Sequence, residues 1–307
     1  MHALPALTEA KEHIKDICFD WVVDKNFASV PSWHPLVNEI VTTDHRNWKK
    51  QLFSKDSRNS LKNVINHINE NNYDLVVDMQ NNLKSAFISY LINHDVVGMD
   101  ATSAREYPAH LAYTRKINVD KKLHAILRQK KLLGETLNYE SKESYIEYGT
   151  TSHKFNKPKI ELPTKYFVLV QNASWPTKQW SISKWQQLVK YLEDQNIPML
   201  FPSGNLEEIK RAKEICSVSR MAQAIDLMPL NEIAYIIKNA TLCICSDTGL
   251  AHLSALTGTP SITLYGPTKT SLIGTTGINQ RHLVGENEDI NLISVSDVIN
   301  ELENTIN

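Results

Sequence analysis

The feature that most constrains the fold of this chain is a regular alternation of short apolar runs with amphipathic stretches. This pattern is typical of an α/β fold with parallel sheets, because parallel strands are buried on both faces and are joined by helices. In the second half it predicts strands at 166–171, 198–202, 241–246 and 261–266 and helices near 182–194, 205–216, 230–238, 249–257 and 295–306.

The first half follows the same pattern less clearly. It predicts strands at 19–23, 73–79 and 94–99 and helices at 4–15, 56–70 and 121–134, the last of them ended by Gly134. Residues 137–165 lose periodicity and contain two prolines, which indicates a connection between domains. We therefore expect domains at 1–155 and 156–307, with packing of the last helix back on the first domain as an open alternative.

Composition excludes several classes of protein. A net charge of -1 gives no overall attraction to nucleic acid. There is no run of about 18 apolar residues for a membrane span, and no basic region followed by an apolar stretch for a signal peptide. The four cysteines are not in a zinc-type pairing, and Cys243 and Cys245 are expected to be buried. We expect a cytoplasmic protein without a transmembrane segment.

The strongest functional signal is the string SDTGLAHLSALTGTPSITLYGPT at 246–268. A strand that ends in SDTG and leads directly into a helix places free backbone N–H groups at the positive helix end, which favours an anion. Asp247 or Thr248 is positioned to cap that helix, and Gly249 allows close approach of the backbone. A capped helix with a buried His252 is the alternative for the turn alone. The second turn, YGPT, follows at the same sheet edge and favours a ligand site.

This string resembles the signature of the heptosyltransferases of glycosyltransferase family 9, and the resemblance continues in VQNASWPTKQWSISKW (170–185), LFPSGNLEEIKRA (200–212) and LMPLNEIAYII (227–237). It implies a GT-B fold of two Rossmann-like, doubly wound domains that face a central cleft. It also implies that this half binds a nucleotide sugar without a metal or other cofactor, in agreement with the absence of any Asp-x-Asp pair. The implied donor-binding residues are Ser174, Lys178, Glu208, Met228, Asp247, Thr248, Gly249 and His252. Ala173 stands where the family often has threonine.

The first half resembles the family branch that adds the first heptose to a Kdo sugar of lipid A, in the segments 19–35, 76–86 and 98–116. The resemblance implies ADP-heptose as the donor, a Kdo–lipid A acceptor, and peripheral contact with the cytoplasmic face of the inner membrane. An anionic acceptor calls for Arg and Lys. The candidates are Lys84, Arg105, Arg46 and Lys49, followed by Lys50 and Arg115; a solvated basic face is the alternative for 46–50.

The family also begins with a strand and a Gly-Asp turn before the helix that starts at LPAL, and the resemblance assigns the general base to that aspartate. This sequence starts at Met1-His2-Ala3 and has no glycine before Gly98. We therefore assign the role of general base to no residue of this chain. His2 is not assigned that role either.

Three readings of the function follow. The first is inverting transfer of heptose from ADP-heptose to Kdo in the lipopolysaccharide inner core. The second is a catalytically impaired nucleotide-sugar-binding protein without the first strand, and the third is a related GT-B enzyme that uses another nucleotide sugar. A dehydrogenase is excluded, because no G-x-G-x-x-G turn occurs.

Overall fold

The chain divides into two compact units, Met1–His153 and Lys154–Asn307. The computed structural model describes residues 1–50, 54–144 and 146–306. Each unit has its own sheets and its own buried core, and each is described here by itself.

In the described residues of the first unit, the strands form two small parallel sheets. β1 (Phe19–Asp24) pairs with β2 (Val37–Thr43), and β3 (Val76–Val77), β4 (Val96–Met99) and β5 (Arg115–Ile117) form the second sheet in that order. The helices are α1 (Leu4–His13), α2 (Ser29–Ser32), α3 (His45–Lys50), α4 (Lys55–Glu70), α5 (Leu83–Leu91) and α6 (Ala125–Leu137), and a 3-10 helix covers Tyr107–Ala112.

Helix α4 shows how sequence determines structure in this unit. Its N-cap is Ser54, whose hydroxyl accepts a hydrogen bond from the amide of Ser57 at 3.0 Å. Val64 and Ile68 are buried on one face of the helix, where they pack with Val41 of β2. The spacing of these apolar residues therefore attaches the helix to the sheet.

Helices α1 and α6 pack together around a buried ion pair. Lys130 Nζ lies 3.3 Å from Glu9 Oε1, and each side chain is 1% exposed. The amide of Lys142 donates to the same Glu9 oxygen at 2.7 Å, and Lys130 Nζ donates to the Lys142 carbonyl. Buried charges are costly unless they are paired, so this pair restricts α1 to one position on α6.

His34 is a second buried polar group of the first unit, with 2% exposure. The amide of Leu36 donates to His34 Nδ1 at 3.2 Å, so the ring proton is on Nε2, which faces the hydroxyl of Thr8 at 3.0 Å. Burial lowers the pKa of His34 to about 4, against the opposing charge of Glu147. The ring is therefore neutral at pH 7.

The second unit is built on one six-stranded parallel sheet. Its strands are β6 (Phe167–Val170), β7 (Met199–Phe201), β8 (Ala222–Ala224), β9 (Leu242–Ser246), β10 (Ser261–Tyr265) and β11 (Gln280–Val284). Its helices are α7 (Ile182–Asp194), α8 (Leu206–Cys216), α9 (Leu230–Lys238), α10 (Gly249–Thr257), α11 (Thr270–Ile273) and α12 (Val295–Ile306). The spatial order β8-β7-β6-β9-β10-β11 is the doubly wound order 3-2-1-4-5-6.

Aromatic packing fills the core of this unit. Trp180 and Trp185 are fully buried, with their ring centroids 5.2 Å apart in an edge arrangement. The indole N–H of Trp180 donates to the carbonyl of Ile293 at 3.0 Å, which ties the segment before α12 to the start of α7. Helix α12 itself packs on α7, β10 and β11.

Some local predictions were wrong. The sequence pattern did not predict β2, β5, β8 and β11, and β3 is much shorter than the predicted strand. Gly134 does not end α6, which continues to Leu137 and stops at Asn138 in the left-handed conformation (φ 62°). Gly134 instead allows close packing, because a Cβ there would lie 2.8 Å from the carbonyl oxygen of Tyr139.

Candidate active site

The loops that follow β6 and β9 meet where the winding of the second sheet reverses. β6 pairs with β7 on one side and with β9 on the other. The winding of the chain therefore reverses between β6 and β9, and the connections that follow these two strands lead in opposite directions along the sheet. Ligands of open α/β sheets bind in the crevice at such a switch point. The sequence places its DTG turn and its lysine at this edge.

A cluster of three polar side chains occupies this position. Lys178 Nζ lies 2.7 Å from Asp247 Oδ2, and the hydroxyl of Thr268 donates to the same oxygen at 2.5 Å. The three residues follow β6, β9 and β10, so three adjacent strands build one cluster. Asp247 is 7% exposed and Lys178 is 27% exposed. An ammonium has three donors, so Lys178 is able to hold an anion while it keeps Asp247.

Helix α10 begins directly beside this cluster. Thr248 is its N-cap in an extended conformation, but no side chain in the described part of the chain caps the helix by a hydrogen bond, so the predicted capping by Asp247 or Thr248 was wrong. Asp247 is turned towards Lys178 instead. A Cβ at Gly249 would meet no described atom within 4 Å, so the first turn has open space beside it. His252 lies half-buried in that turn. The uncapped N–H groups and the helix dipole favour an anion here.

Amide side chains join the loops that follow β6 and β7. Gln171 Nε2 donates to Asn172 Oδ1 and to the carbonyl of Glu208 at 3.2 Å, and Asn172 Nδ2 donates to the carbonyl of Pro202 at 3.1 Å. Gln171 Oε1 and the Ser203 hydroxyl are buried and have no hydrogen-bond partner among residues 1–50, 54–144 and 146–306. Such buried polar atoms are uncommon in folded proteins, so these two oxygens mark the loops after β6 and β7 as unusual.

Glu208 has a clear local role. Its carboxylate accepts from the amide of Gly204 at 2.7 Å and from Asn205 Nδ2 at 2.8 Å, and its own amide donates to Asn205 Oδ1 at 2.9 Å. These bonds close the first turn of α8. Glu208 therefore stabilises the start of its own helix, and contact of Glu208 with a ligand stays a prediction.

Apolar side chains follow the strands on the other side of the switch point. Trp175, Leu206 and Leu227 follow β6, β7 and β8 and are 68%, 76% and 50% exposed. Met228 is half-buried beside Leu227, and Ser174 is exposed beside Trp175. The carboxyl edge of the sheet is thus polar where Lys178, Asp247 and Thr268 meet after β6, β9 and β10, and more apolar towards β8.

In the first unit, a buried carboxylate shapes the loop between β3 and α5. Asp78 accepts from the amides of Gln80 and Asn81 at 2.9 Å and from the hydroxyl of Tyr113 at 2.7 Å. Burial and the charge of Asp78 raise the pKa of Tyr113 far above its ordinary value, so the phenol stays a donor. Asn81 adopts a left-handed conformation (φ 53°) and accepts from the amide of Met99 at 2.6 Å. The loop is therefore fixed to β4.

This loop brings two of the predicted acceptor residues into adjoining segments. Glu106 accepts from the amide of Leu83 at 2.8 Å, and its own amide donates to the carbonyl of Asn81, so the segment with Arg105 is attached to the start of α5, next to Lys84. Lys84 and Arg105 are both exposed.

The remaining basic candidates differ in what the structure says about them. Arg46 and Lys49 belong to α3, but their side chains lie outside the described part of the structure. Lys50 is exposed. Arg115 donates to the carbonyls of Glu135 and Thr136, which indicates a structural role at the end of α6.

Within residues 1–50, 54–144 and 146–306, no group of three or more His, Cys, Asp or Glu side chains is arranged to hold a metal ion. In the same ranges, no helix has both the length and the apolar character that a membrane crossing requires.

Sequence reasoning did not assign Thr268, Gln171, Asn172 or Ser203 to the site. A signal existed for each, since all four lie at strand ends on the carboxyl edge. Thr268 also stands in the quoted YGPT turn.

Known proteins resemble this chain over most of its length. It is 35% identical to lipopolysaccharide heptosyltransferase 1 of Escherichia coli K12 over 284 residues, which cover 91% of this chain and 88% of that protein. The solved structure of the E. coli heptosyltransferase WaaC with ADP has a TM-score of 0.92 and 33% identity and covers 99% of this chain and 95% of that one. The same enzyme with ADP-2-deoxy-2-fluoro heptose has a TM-score of 0.89, 32% identity and the same coverage of both chains.

Residues 61–296 match glycosyltransferase family 9 (heptosyltransferase). Together with the structural likeness, this match confirms the predicted α/β fold of the GT-B type and the predicted enzyme class. The chain therefore belongs to glycosyltransferase family 9, the heptosyltransferases.

Proposed function

We propose that this protein transfers heptose from ADP-heptose to a Kdo residue of the lipopolysaccharide inner core, with inversion at the anomeric carbon. The observation that carries the proposal is the cluster of Lys178, Asp247 and Thr268 beside the uncapped start of α10. A cation and a helix N-terminus at a switch point form a site for a diphosphate. The family membership supports heptose as the transferred sugar.

The proposed chemistry is a single displacement. The acceptor hydroxyl oxygen forms a bond to the anomeric carbon while the bond from that carbon to the β-phosphate oxygen breaks, and ADP leaves with the electron pair. The hydroxyl proton is released in the same step. Negative charge grows on the departing diphosphate, and Lys178 together with the helix dipole of α10 stabilises it. The proposal assigns no residue as general base.

The rest of the donor would extend along the sheet edge towards β8. We propose that the base of the nucleotide lies against Met228 and that Ser174 donates to the diphosphate, because Ser174 is exposed in the loop that ends at Lys178. Gly249 leaves space beside the helix turn, and His252 lies within that turn. Adenine as the base rests on the relatives, whose structures hold ADP and an ADP-heptose analogue.

For the acceptor, we propose that Lys84 and Arg105 bind the anionic groups of a Kdo–lipid A substrate, with Arg46 and Lys49 of α3 as further cationic groups. The bonds of Glu106 and Asn81 support a joint role for Lys84 and Arg105, because they attach the two segments to each other. Lysine and arginine pair well with carboxylates and phosphates. A lipid-linked acceptor would place the enzyme at the cytoplasmic face of the inner membrane.

The test is release of ADP from ADP-heptose by this chain, with and without a Kdo–lipid A acceptor. Release that depends on the acceptor supports the proposal, and the product should carry the inverted anomeric configuration by nuclear magnetic resonance. An equal rate in EDTA is expected for a metal-free reaction.

Two alternative functions give different results in the same assay. A protein that binds ADP-heptose tightly but releases no ADP would be a nucleotide-sugar-binding protein. Turnover of a UDP-sugar or GDP-sugar in place of ADP-heptose would indicate a related GT-B enzyme with another donor. Either result contradicts the proposed reaction.

A further inference from the structure

The first unit exposes an apolar face that the proposed reaction does not use. On α5, Leu83, Phe87, Tyr90 and Leu91 are exposed at the spacing i, i+4, i+7 and i+8, so they lie along one side of the helix. The opposite side of α5 is buried through Ile88 and Ser89. A helix with one face in the core normally exposes mainly polar residues on the other face, whereas the outer face of α5 is mainly apolar.

A neighbouring element enlarges this face. The 3-10 helix Tyr107–Ala112 packs against α5 through its buried Ala109, and its outer residues Tyr107 and Leu111 are 70% and 73% exposed. Tyr90 on α5 is 76% exposed. We call this set the α5 patch: Leu83, Phe87, Tyr90, Leu91, Tyr107 and Leu111. Contiguous exposed apolar surface of this kind is typical of interaction sites.

The charges around the α5 patch favour an anionic partner. Lys84 and Arg105 are exposed at its edge, and the sequence from Leu83 to His94 contains no Asp or Glu. Glu106 is the acidic residue nearest to it in sequence, and its carboxylate accepts from the amide of Leu83 at the positive end of α5. An anionic surface would therefore meet the two cations and a carboxylate that is already hydrogen-bonded.

The same charges disfavour a second copy of this chain as the partner. A two-fold interface places identical patches against each other, so a patch with Lys84 and Arg105 at its edge would meet a second patch of the same charge. Exposed tyrosines beside aliphatic residues and cations instead match the composition of surfaces that bind lipid headgroups and the outer part of the acyl chains.

We propose that the α5 patch docks the protein on an anionic lipid bilayer, with the apolar side chains at the level of the headgroups and Lys84 and Arg105 against lipid phosphates. This inference rests on the proposed function in one respect, since a lipid-linked acceptor gives the enzyme a reason to bind a bilayer. The patch adjoins Lys84 and Arg105, which are proposed for acceptor binding. Docking would therefore bring the bilayer that contains the acceptor close to these two residues.

The test is co-sedimentation of the full chain with vesicles of phosphatidylethanolamine and phosphatidylglycerol, compared with vesicles of phosphatidylcholine alone. The wild-type protein should bind the anionic vesicles, and high salt should weaken binding because it screens the two cations. The double variant Tyr90→Ser/Leu111→Ser should bind at least about tenfold more weakly, because it removes two large side chains from the docking face. Both residues are mostly exposed, so the variant should keep its fold.

A matched control is Ile278→Ser/Val284→Ser, which removes exposed apolar side chains (81% and 55% exposed) from the second unit and should bind vesicles like the wild type. The proposal would be overturned if the wild-type protein did not bind anionic vesicles, or if both double variants lost vesicle binding to the same extent. A dimer in analytical ultracentrifugation that Tyr90→Ser/Leu111→Ser abolishes would also overturn it, because it would assign the patch to a second copy.

Vesicle binding requires no turnover, so the two proposals fail separately. Protein that binds vesicles through the patch but transfers no heptose would contradict the proposed reaction alone. Protein that transfers heptose to a water-soluble Kdo acceptor but does not bind vesicles would contradict the docking surface alone. If both hold, Tyr90→Ser/Leu111→Ser should transfer normally to the soluble acceptor and slowly to acceptor embedded in vesicles.

Discussion

Replacement of Lys178 by methionine tests the donor site most directly. The substitution keeps an unbranched side chain of similar length and removes the ammonium that lies 2.7 Å from Asp247 Oδ2. If Lys178 holds the donor diphosphate, the variant loses a charge-assisted interaction with ADP. It also leaves the Asp247 carboxylate, which is 7% exposed, with the Thr268 hydroxyl but without a cation.

The expected size of the effect follows from the exposure of the lysine. A hydrogen bond to a charged group contributes about 1.5–3 kcal/mol. Lys178 is 27% exposed, so solvent screening favours the lower half of that range. About 1.5–2 kcal/mol corresponds to ADP binding that is about 10- to 30-fold weaker. The stranded carboxylate should also lower the free energy of unfolding by about 1–3 kcal/mol, and Asp247→Asn in the same chain should recover part of that loss.

Isothermal titration calorimetry with ADP measures the affinity, and urea unfolding of the wild type, the two single variants and the double variant measures the coupling. Lys184→Met is the matched control. Lys184 Nζ donates to the carbonyl of Ile293 at 2.8 Å and so binds the segment before α12 instead of the DTG turn. Loss of this lysine should therefore lower stability and leave ADP affinity unchanged. An affinity of Lys178→Met within about twofold of the wild type, less than about 0.5 kcal/mol, would refute the assignment.

Three further substitutions test other parts of the structure. Thr268→Val should raise KM for the donor by about three- to tenfold, because Asp247 loses a hydrogen bond worth about 1 kcal/mol, while Thr268→Ser should restore the wild-type value; equal effects of both would contradict the bond. The free energy of unfolding should fall as the pH drops from 6.5 to about 4, because the pKa of His34 is lowered to about 4 in the folded state and the unfolded chain binds the proton first. His34→Gln should flatten that part of the urea-unfolding profile, and an unchanged slope would rule out this histidine as its source. Gly134→Ala should lower the melting temperature although alanine favours helices, because its Cβ would lie 2.8 Å from the Tyr139 carbonyl oxygen, a clash of about 1–3 kcal/mol; a higher melting temperature would contradict the close packing.

The sequence predicted the interior of the second unit better than its margins. β6, β9 and β10 are buried at every position, so each of them is rich in apolar residues and contains no charged residue, which the pattern detects. The strands that were missed in the two larger sheets, β5, β8 and β11, are all edge strands. An edge strand is partly exposed and needs no apolar run, as Ala222-Gln223-Ala224 in β8 illustrates.

The candidate site was predictable in its parts but not in its connections. The DTG turn and the lysine loop each had a recognisable sequence pattern. The contact of Lys178 with Asp247 spans 69 residues of sequence and depends on which strands are neighbours, which no local pattern specifies. Thr268 was not assigned to the site for the same reason, because its role depends on a hydrogen bond to Asp247, which follows the adjacent strand. Glu208 is the opposite case, in which a residue assigned to the ligand site has a structural role instead. Its carboxylate accepts a hydrogen bond at the start of α8 and stabilises that helix.

The strand order of the second unit also has a consequence for how the domain folds. β6 is synthesised first, yet its partner β9 follows only after two more strands and three helices. Until β9 arrives, one edge of the apolar strand Phe167–Val170 is unpaired and prone to aggregation. Lys178 follows β6 and Asp247 follows β9, so their contact spans the two strands whose pairing is delayed. A nucleotide bound there would hold the early and late parts of the sheet together, so we expect ADP to slow the unfolding of the whole second unit rather than of one loop.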